Sequence, residues 1–224
     1  AKVRLRIEDH DKSRARKEYI DSIPEDLERF GFKFESVSLQ SKRQALYEKY
    51  AEILFSKQKL YPCSCSRKKL FEENPINADG EVIYSGHCLK NQCGDFTIKD
   101  RISQWTYQFA VCVDDLEENI GLVVRGEDLR NSTARQIVLS EALGRKTPPL
   151  YLHHPLLTEK SGEKLSKRQH SKSLRAELEQ GLSIEDLLGL VCYEAHSIPK
   201  KAPLTLNEAI YSIQKTYFSC FLKK

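Results

Sequence analysis

Hydrophobic and polar positions along this chain of 224 residues switch between a period near two and a period near three and a half. An apolar stretch at 2–8 closes on the acids Glu8, Asp9 and Asp11 and runs into charged residues from Lys12 to Phe30, the pattern of a strand feeding a helix over 12–30. A short strand is predicted near 34–38. A helix follows over 41–58, where Leu46, Tyr50, Ile53 and Leu54 recur at three and four residues and mark a buried stripe. The run from Thr106 to Asp115 reads as a buried strand at 107–113, with another strand near 96–99. A strand at 120–125, a helix at 132–144 and a strand at 151–157 continue the alternation. Helices are then expected near 172–180, 183–195 and 205–216, with Pro199 and Pro203 punctuating the last two. Alternating strands and helices predict an α/β fold with a mostly parallel sheet covered by helices.

Composition narrows the class. Charged residues make up 30% of the chain and mean hydropathy is −0.54, while no apolar run approaches the roughly 20 residues that a membrane crossing requires. We expect a soluble, cytoplasmic protein, since no apolar segment of a secretory signal follows the basic start. The net charge of +4 gives a slight preference for an anionic partner.

Three segments carry candidate binding chemistry. Lys164-Leu165-Ser166-Lys167-Arg168 follows Gly162 and the apolar run Tyr151 to Leu157, so two lysines and a hydroxyl sit on a loop after a strand, an arrangement suited to a polyphosphate. Glu8 stands at the carboxyl end of a strand, where α/β sheets gather ligand groups and where a carboxylate holds a substrate ammonium. Arg125 and Gly126 lie where an apolar strand meets a helix; the guanidinium fork pairs two-for-two with a carboxylate, and the glycine lets a ligand approach the backbone.

The seven cysteines form two groups. Cys112, Cys192 and Cys220 sit among apolar or aromatic neighbours, as inert core residues do. Cys63, Cys65, Cys88 and Cys93 lie in a polar segment with too few apolar residues to fold unaided, where a tetrahedral zinc would supply folding energy. Spacing chemistry alone selects those four thiolates.

The collinear order of RIEDHD, CxC with YxxxC, TYQFAVCVDD, VVRGEDL, LHHPLL and KLSKR resembles the class I glutamyl-tRNA synthetase catalytic domain from about Val3 to about Leu174, with a weaker continuation to about Ile210. The resemblance implies a Rossmann-like catalytic domain with a small zinc-binding insertion and a helical C-terminal part. Its parts would be 1–60 and 96–170 for the two halves of the catalytic domain, 61–95 for the insertion and 171–224 for the helical part. KLSKR is similar to the family's KMSKS loop, which closes on ATP. The chain after Arg168 is too short for the helical anticodon-binding region of the full-length enzymes, so the resemblance is closest to the family's short branch, which activates glutamate with ATP and transfers it to queuosine in the anticodon loop of tRNA(Asp).

The same resemblance implies roles. Glu8 would hold the glutamate ammonium, Tyr107 would hydrogen-bond the substrate, and Arg125 would pair with a carboxylate. Lys167 would contact ATP phosphates, with magnesium accompanying the nucleotide, while Lys164 and Ser166 support the closed loop. Tyr84-Ser85-Gly86-His87-Cys88 matches YxxxC, so the implied zinc ligands are Cys63, Cys65, Tyr84 and Cys88, with Cys93 as the substitute for Tyr84 and His87 a lesser candidate. His153 and His154 would shape the nucleotide site or serve the fold alone, and Arg43 would position its helix. The family's opening loop, which carries an arginine and the HIGH motif, has no counterpart here, and methionine is absent from the chain. We therefore expect the natural protein to hold further residues and to exceed 25.8 kDa. Two rival readings are a glutamyl-tRNA synthetase that has lost its C-terminal part and charges tRNA(Glu), and a non-catalytic, zinc-stabilised RNA-binding relic.

Overall fold

The computed structural model describes residues 3–10, 15–63, 68, 72–76, 96–156 and 174–217. Within them the elements run β1 (Arg4–Ile7), α1 (Lys17–Arg29), β2 (Ser36–Leu39), a 3-10 turn (Gln40–Lys42), α2 (Gln44–Ser56), α3 (Tyr107–Glu117), β3 (Leu122–Gly126), a second 3-10 turn (Glu127–Leu129), α4 (Ser132–Ala142), β4 (Leu150–His154), α5 (Leu174–Glu179), α6 (Ile184–Glu194) and α7 (Leu206–Tyr217). β1 pairs in parallel with β2, Arg4 opposite Ser36, and β3 pairs in parallel with β4, Arg125 opposite His153. The described strands thus form two separate two-stranded sheets rather than the single sheet expected. β1 and β3 each keep an edge that is unpaired among the described residues.

The strand expected at 107–113 is a helix. Phe109, Ala110, Val111, Cys112, Val113 and Asp114 of α3 are all buried, so the segment shows no polar face over that run, and a helix buried all round has the same apolar signature as a buried strand. The stretch near 96–99 makes only one isolated bridge, Lys99 with Trp105. α3 packs with α2 and α4 around Tyr47, Leu54, Trp105, Phe109, Val113, Leu139 and Leu143. Trp105 stacks on Phe109 at 4.9 Å between ring centroids, and Tyr47 meets both rings edge-on. Tyr47 is the deepest side chain of α2, one residue from the expected Leu46, which with Tyr50 packs on the core from its margin. Cys112 and Cys192 are buried, as their apolar neighbours imply.

The C-terminal helices dock against the first. Arg175 of α5 donates to Asp26 of α1 at 2.6 Å. α6 starts with a capping box in which Asp186 N–H donates to the Ser183 hydroxyl and the Asp186 carboxylate accepts from the Ser183 N–H. At Gly189 on α6 a Cβ would stand 1.8 Å from the Ala202 carbonyl oxygen, so only glycine allows the 202–203 backbone to lie on this helix. Among the described residues no helix is long and apolar enough to cross a membrane.

Candidate functional site

β1, α3, β3 and α4 together line an open cleft of about 640 Å³, and Glu8, Tyr107 and Arg125 all face into it. The strand period places Arg6 and Glu8 on one face of β1 and its extension. α3 presents Tyr107, Val111, Asp115 and Glu118 to the cleft at intervals of three and four residues, one helical face. Leu122 to Arg125 come from β3, and Gln136 from α4.

One wall is acidic and densely paired. Arg6 Nη1 donates to Asp115 Oδ1 at 3.0 Å and lies 3.8 Å from Glu118, its Nε faces Asp114 Oδ2 at 3.5 Å without hydrogen-bond geometry, and Nη2 lies 4.0 Å from Glu8. Asp114 is fully buried; it accepts from Gln40 Nε2 at 2.7 Å and from the Tyr47 hydroxyl at 3.0 Å, and pairs with Arg43 at 3.1 Å. Arg43 also reaches Glu118 at 2.5 Å, so it fixes α3 against the turn before α2. Asp9 accepts from the Ser41 N–H at 2.8 Å and from its hydroxyl at 2.5 Å, which holds the end of β1 on the same turn. The Glu8 side chain keeps 41% of its exposure. Partial desolvation raises its carboxyl above the ordinary 4.5, with Arg6 and His10 opposing the rise and Asp114 and Asp115 adding to it.

The opposite end of the cleft carries a different arginine. Arg125 is 8% exposed and has only neutral partners among the described residues: Nη1 donates to Gln136 Oε1 at 2.6 Å, Nη2 to the Thr133 hydroxyl at 2.7 Å, and Nε to His153 Nε2 at 3.3 Å. The guanidinium lies over the Tyr151 ring, 4.9 Å from its centre. His153 Nε2 also faces the Thr133 hydroxyl at 3.2 Å, and the donation from Arg125 requires this nitrogen to accept and the ring to be neutral. Desolvation, with the charges of Arg125 and Arg130, lowers the His153 pKa below 6.5, in agreement with that state. Burial raises the Tyr107 hydroxyl above 10, as does the charge of Glu8, and leaves it a donor at neutral pH.

The cleft therefore offers an acidic wall for a cation, a guanidinium for an anion and a phenol between motifs that lie far apart in the chain. Arg6, Asp114, Asp115, Thr133 and Gln136 did not stand out in the sequence. Their signal was slight: Ser132, Gln136 and Ser140 occupy positions of the stripe completed by Leu139 and Leu143, so polar side chains fall on the buried face of α4. The space at Gly126 is taken by the chain itself, because a Cβ there would meet Asp128 Oδ1 at 2.5 Å and Leu156 Cδ2 at 3.0 Å. His153 belongs to the Arg125 cradle, and the His154 ring faces the Pro155 carbonyl at 2.8 Å. Lys164, Ser166 and Lys167 lie outside the described residues, as do Cys65, Tyr84, Cys88, Cys93 and His87. Cys63 is described and exposed, and among the described residues no group of three or more potential ligands is placed to hold a metal.

Comparison with known proteins adds kinship to this geometry. The family described as tRNA synthetases class I (E and Q), catalytic domain, matches residues 1–78 and 67–193. The Glutamyl-Q tRNA(Asp) synthetase of Nitratidesulfovibrio vulgaris is 31% identical over 262 residues, covering 93% of this chain and 81% of that protein. The Geobacter sulfurreducens protein of the same name is 35% identical over 210 residues, covering 77% and 67%. Among solved structures, a glutamate tRNA ligase from Elizabethkingia meningosepticum, crystallised with its amino acid, superposes over 95% of this chain with a TM-score of 0.58 and 21% identity. The chain spans 62% of that ligase's length. The shared architecture is the class I aminoacyl-tRNA synthetase catalytic fold, helical and α/β.

Proposed function

Because the chain belongs to the class I (E and Q) tRNA synthetase catalytic-domain family, we propose that it is a ligase that activates glutamate with ATP and transfers the glutamyl group to queuosine in the anticodon loop of tRNA(Asp). The observation that carries the reading is the meeting of Glu8, Tyr107 and Arg125 in one cleft of opposed charges. The Glu8 carboxylate takes the α-ammonium, Arg125 takes a carboxylate, and the Tyr107 hydroxyl donates to the substrate between them. A glutamate carboxylate oxygen attacks the α-phosphorus of ATP; the bond to pyrophosphate breaks and glutamyl-adenylate forms. Positioning and charge neutralisation lower this barrier more than a protein acid or base would. Lys167 contacts the phosphates, Lys164 and Ser166 support the closed loop, and magnesium travels with ATP. A queuosine hydroxyl then attacks the activated carbonyl and releases AMP.

The relatives' names support the queuosine acceptor, and the geometry supports the amino acid. The test is glutamate-dependent ATP–pyrophosphate exchange by the natural full-length protein, followed by glutamylation of tRNA(Glu) and of queuosine-containing tRNA(Asp). Exchange with labelling of tRNA(Asp) alone is expected; labelling of tRNA(Glu) would instead make the chain a glutamyl-tRNA synthetase, and no exchange would leave it a non-catalytic RNA-binding protein.

Structural zinc belongs to the same proposal. Thiolates at Cys63, Cys65 and Cys88 with the Tyr84 phenolate give a donor set that zinc accepts, and bound metal would supply folding energy to the cysteine segment. Elemental analysis of protein purified without chelators should find one zinc per chain, and substoichiometric zinc would remove this part of the reading.

A further inference from the structure

The cleft holds two buried or half-buried arginines with opposite surroundings. Arg6 lies within 4.0 Å of four carboxylates, those of Glu8, Asp114, Asp115 and Glu118, so its charge is more than answered inside the protein. Arg125 is more deeply buried, yet a carboxamide, a hydroxyl and an imidazole are its hydrogen-bond partners, and no carboxylate pairs with it among the described residues. A buried cation without a counter-charge is costly, and neutral acceptors relieve only part of that cost. The arrangement is stable in function when a ligand brings the missing negative charge.

Gln136 is the residue that decides this. Its carbonyl oxygen accepts from Arg125 at 2.6 Å, and its amide donates to Gln108 Oε1 at 2.6 Å. Gln108 in turn donates to the Ser132 hydroxyl at 2.8 Å. The relay fixes which end of the Gln136 amide meets the guanidinium, since its NH2 is already committed to α3. The side chain is 3% exposed and cannot turn toward solvent. A glutamate at this position would be isosteric and would give Arg125 the internal partner that Arg6 enjoys. We infer that Gln136, assisted by Thr133, is a positioning and specificity-determining residue for a ligand whose side-chain carboxylate meets Arg125: its neutral amide holds the Arg125 fork in place while leaving the charge free, and so makes the site choose an acid over the corresponding amide. This inference rests on the reading of the cleft as a glutamate site.

Binding of glutamate and of glutamine to the full chain, measured by calorimetry at neutral pH, tests it. Wild-type protein should bind glutamate more tightly than glutamine. Gln136→Glu should keep or raise thermal stability, because Arg125 gains a counter-charge and the Gln108 amide can turn over to donate to it. The same variant should weaken glutamate binding by about ten- to hundredfold, the scale of a hydrogen bond to a charged group, while glutamine binding changes little. A purely structural role for Gln136 predicts the same stability with both affinities unchanged, and that result would overturn the inference. If Gln136→Glu does not fold, Gln136→Met removes the carbonyl acceptor at similar length. It should weaken glutamate binding about tenfold, as expected for a loosened charged contact, and an unchanged acid-to-amide preference in it overturns the inference equally. Wild-type protein that binds neither amino acid would instead remove the glutamate reading from which this inference starts.

Discussion

Glu8 and Arg125 face one cleft with opposite charge, and each is held by a different set of neighbours. Partial desolvation, with the charges of Asp114 and Asp115 adding to it, raises the Glu8 carboxyl above 4.5, so its ionised form is lost at a higher pH than that of a free glutamate side chain. An ammonium pairs with the ionised form, which exists above that raised pKa. Glutamate KM in pyrophosphate exchange should therefore rise as pH falls through it, and Glu8→Gln should abolish this acid limb. The same substitution should raise KM about ten- to hundredfold at neutral pH, the range for a charged hydrogen bond, and leave the melting temperature unchanged because the side chain keeps 41% of its exposure. Glu8, Tyr107 and Arg125 were legible because each sits in a motif whose neighbours announce it. Gln136 and Asp114 were not, since their importance comes from partners 28 and 74 residues away.

At the scale of elements, α3 holds the two halves of the site. Its acids take Arg6 of β1 and Arg43 before α2, while Gln108 engages Ser132 and Gln136 of α4. Its sequence shows a strand because packing on every side erased the polar face that betrays a helix; the acids from Asp114 onward were the better clue. The helices 183–195 and 205–216 were readable within two residues, since each has an apolar stripe and a cap or breaker beside it. Asp114→Ala should destabilise by about 3–5 kcal/mol in denaturant unfolding, as expected when a buried ion pair loses one partner. Gly189→Ala forces a methyl into the Ala202 carbonyl and should cost about 1–3 kcal/mol, the range for overpacking, with pyrophosphate exchange per folded molecule unchanged.

For the whole molecule, the collinear order of short motifs made the family legible before any coordinates, because no single motif is specific but their sequence is. Cys65, Tyr84, Cys88 and the KLSKR loop lie outside the described residues, so the zinc set and the phosphate contacts stand on the resemblance. The paired strands show a further property of the assembly. Glu8 extends the β1–β2 ribbon and Arg125 stands on the β3–β4 ribbon, and among the described residues the ladder hydrogen bonds of one do not continue into the other. A zwitterion gripped at both ends would then be a cross-brace between two ribbons otherwise joined through α3. Substrate should stiffen the protein as well as fill it: deuterium uptake by the backbone amides of Arg6 and Arg125 should slow together when glutamate is added, and should slow at neither when only one end of the ligand carries its charge.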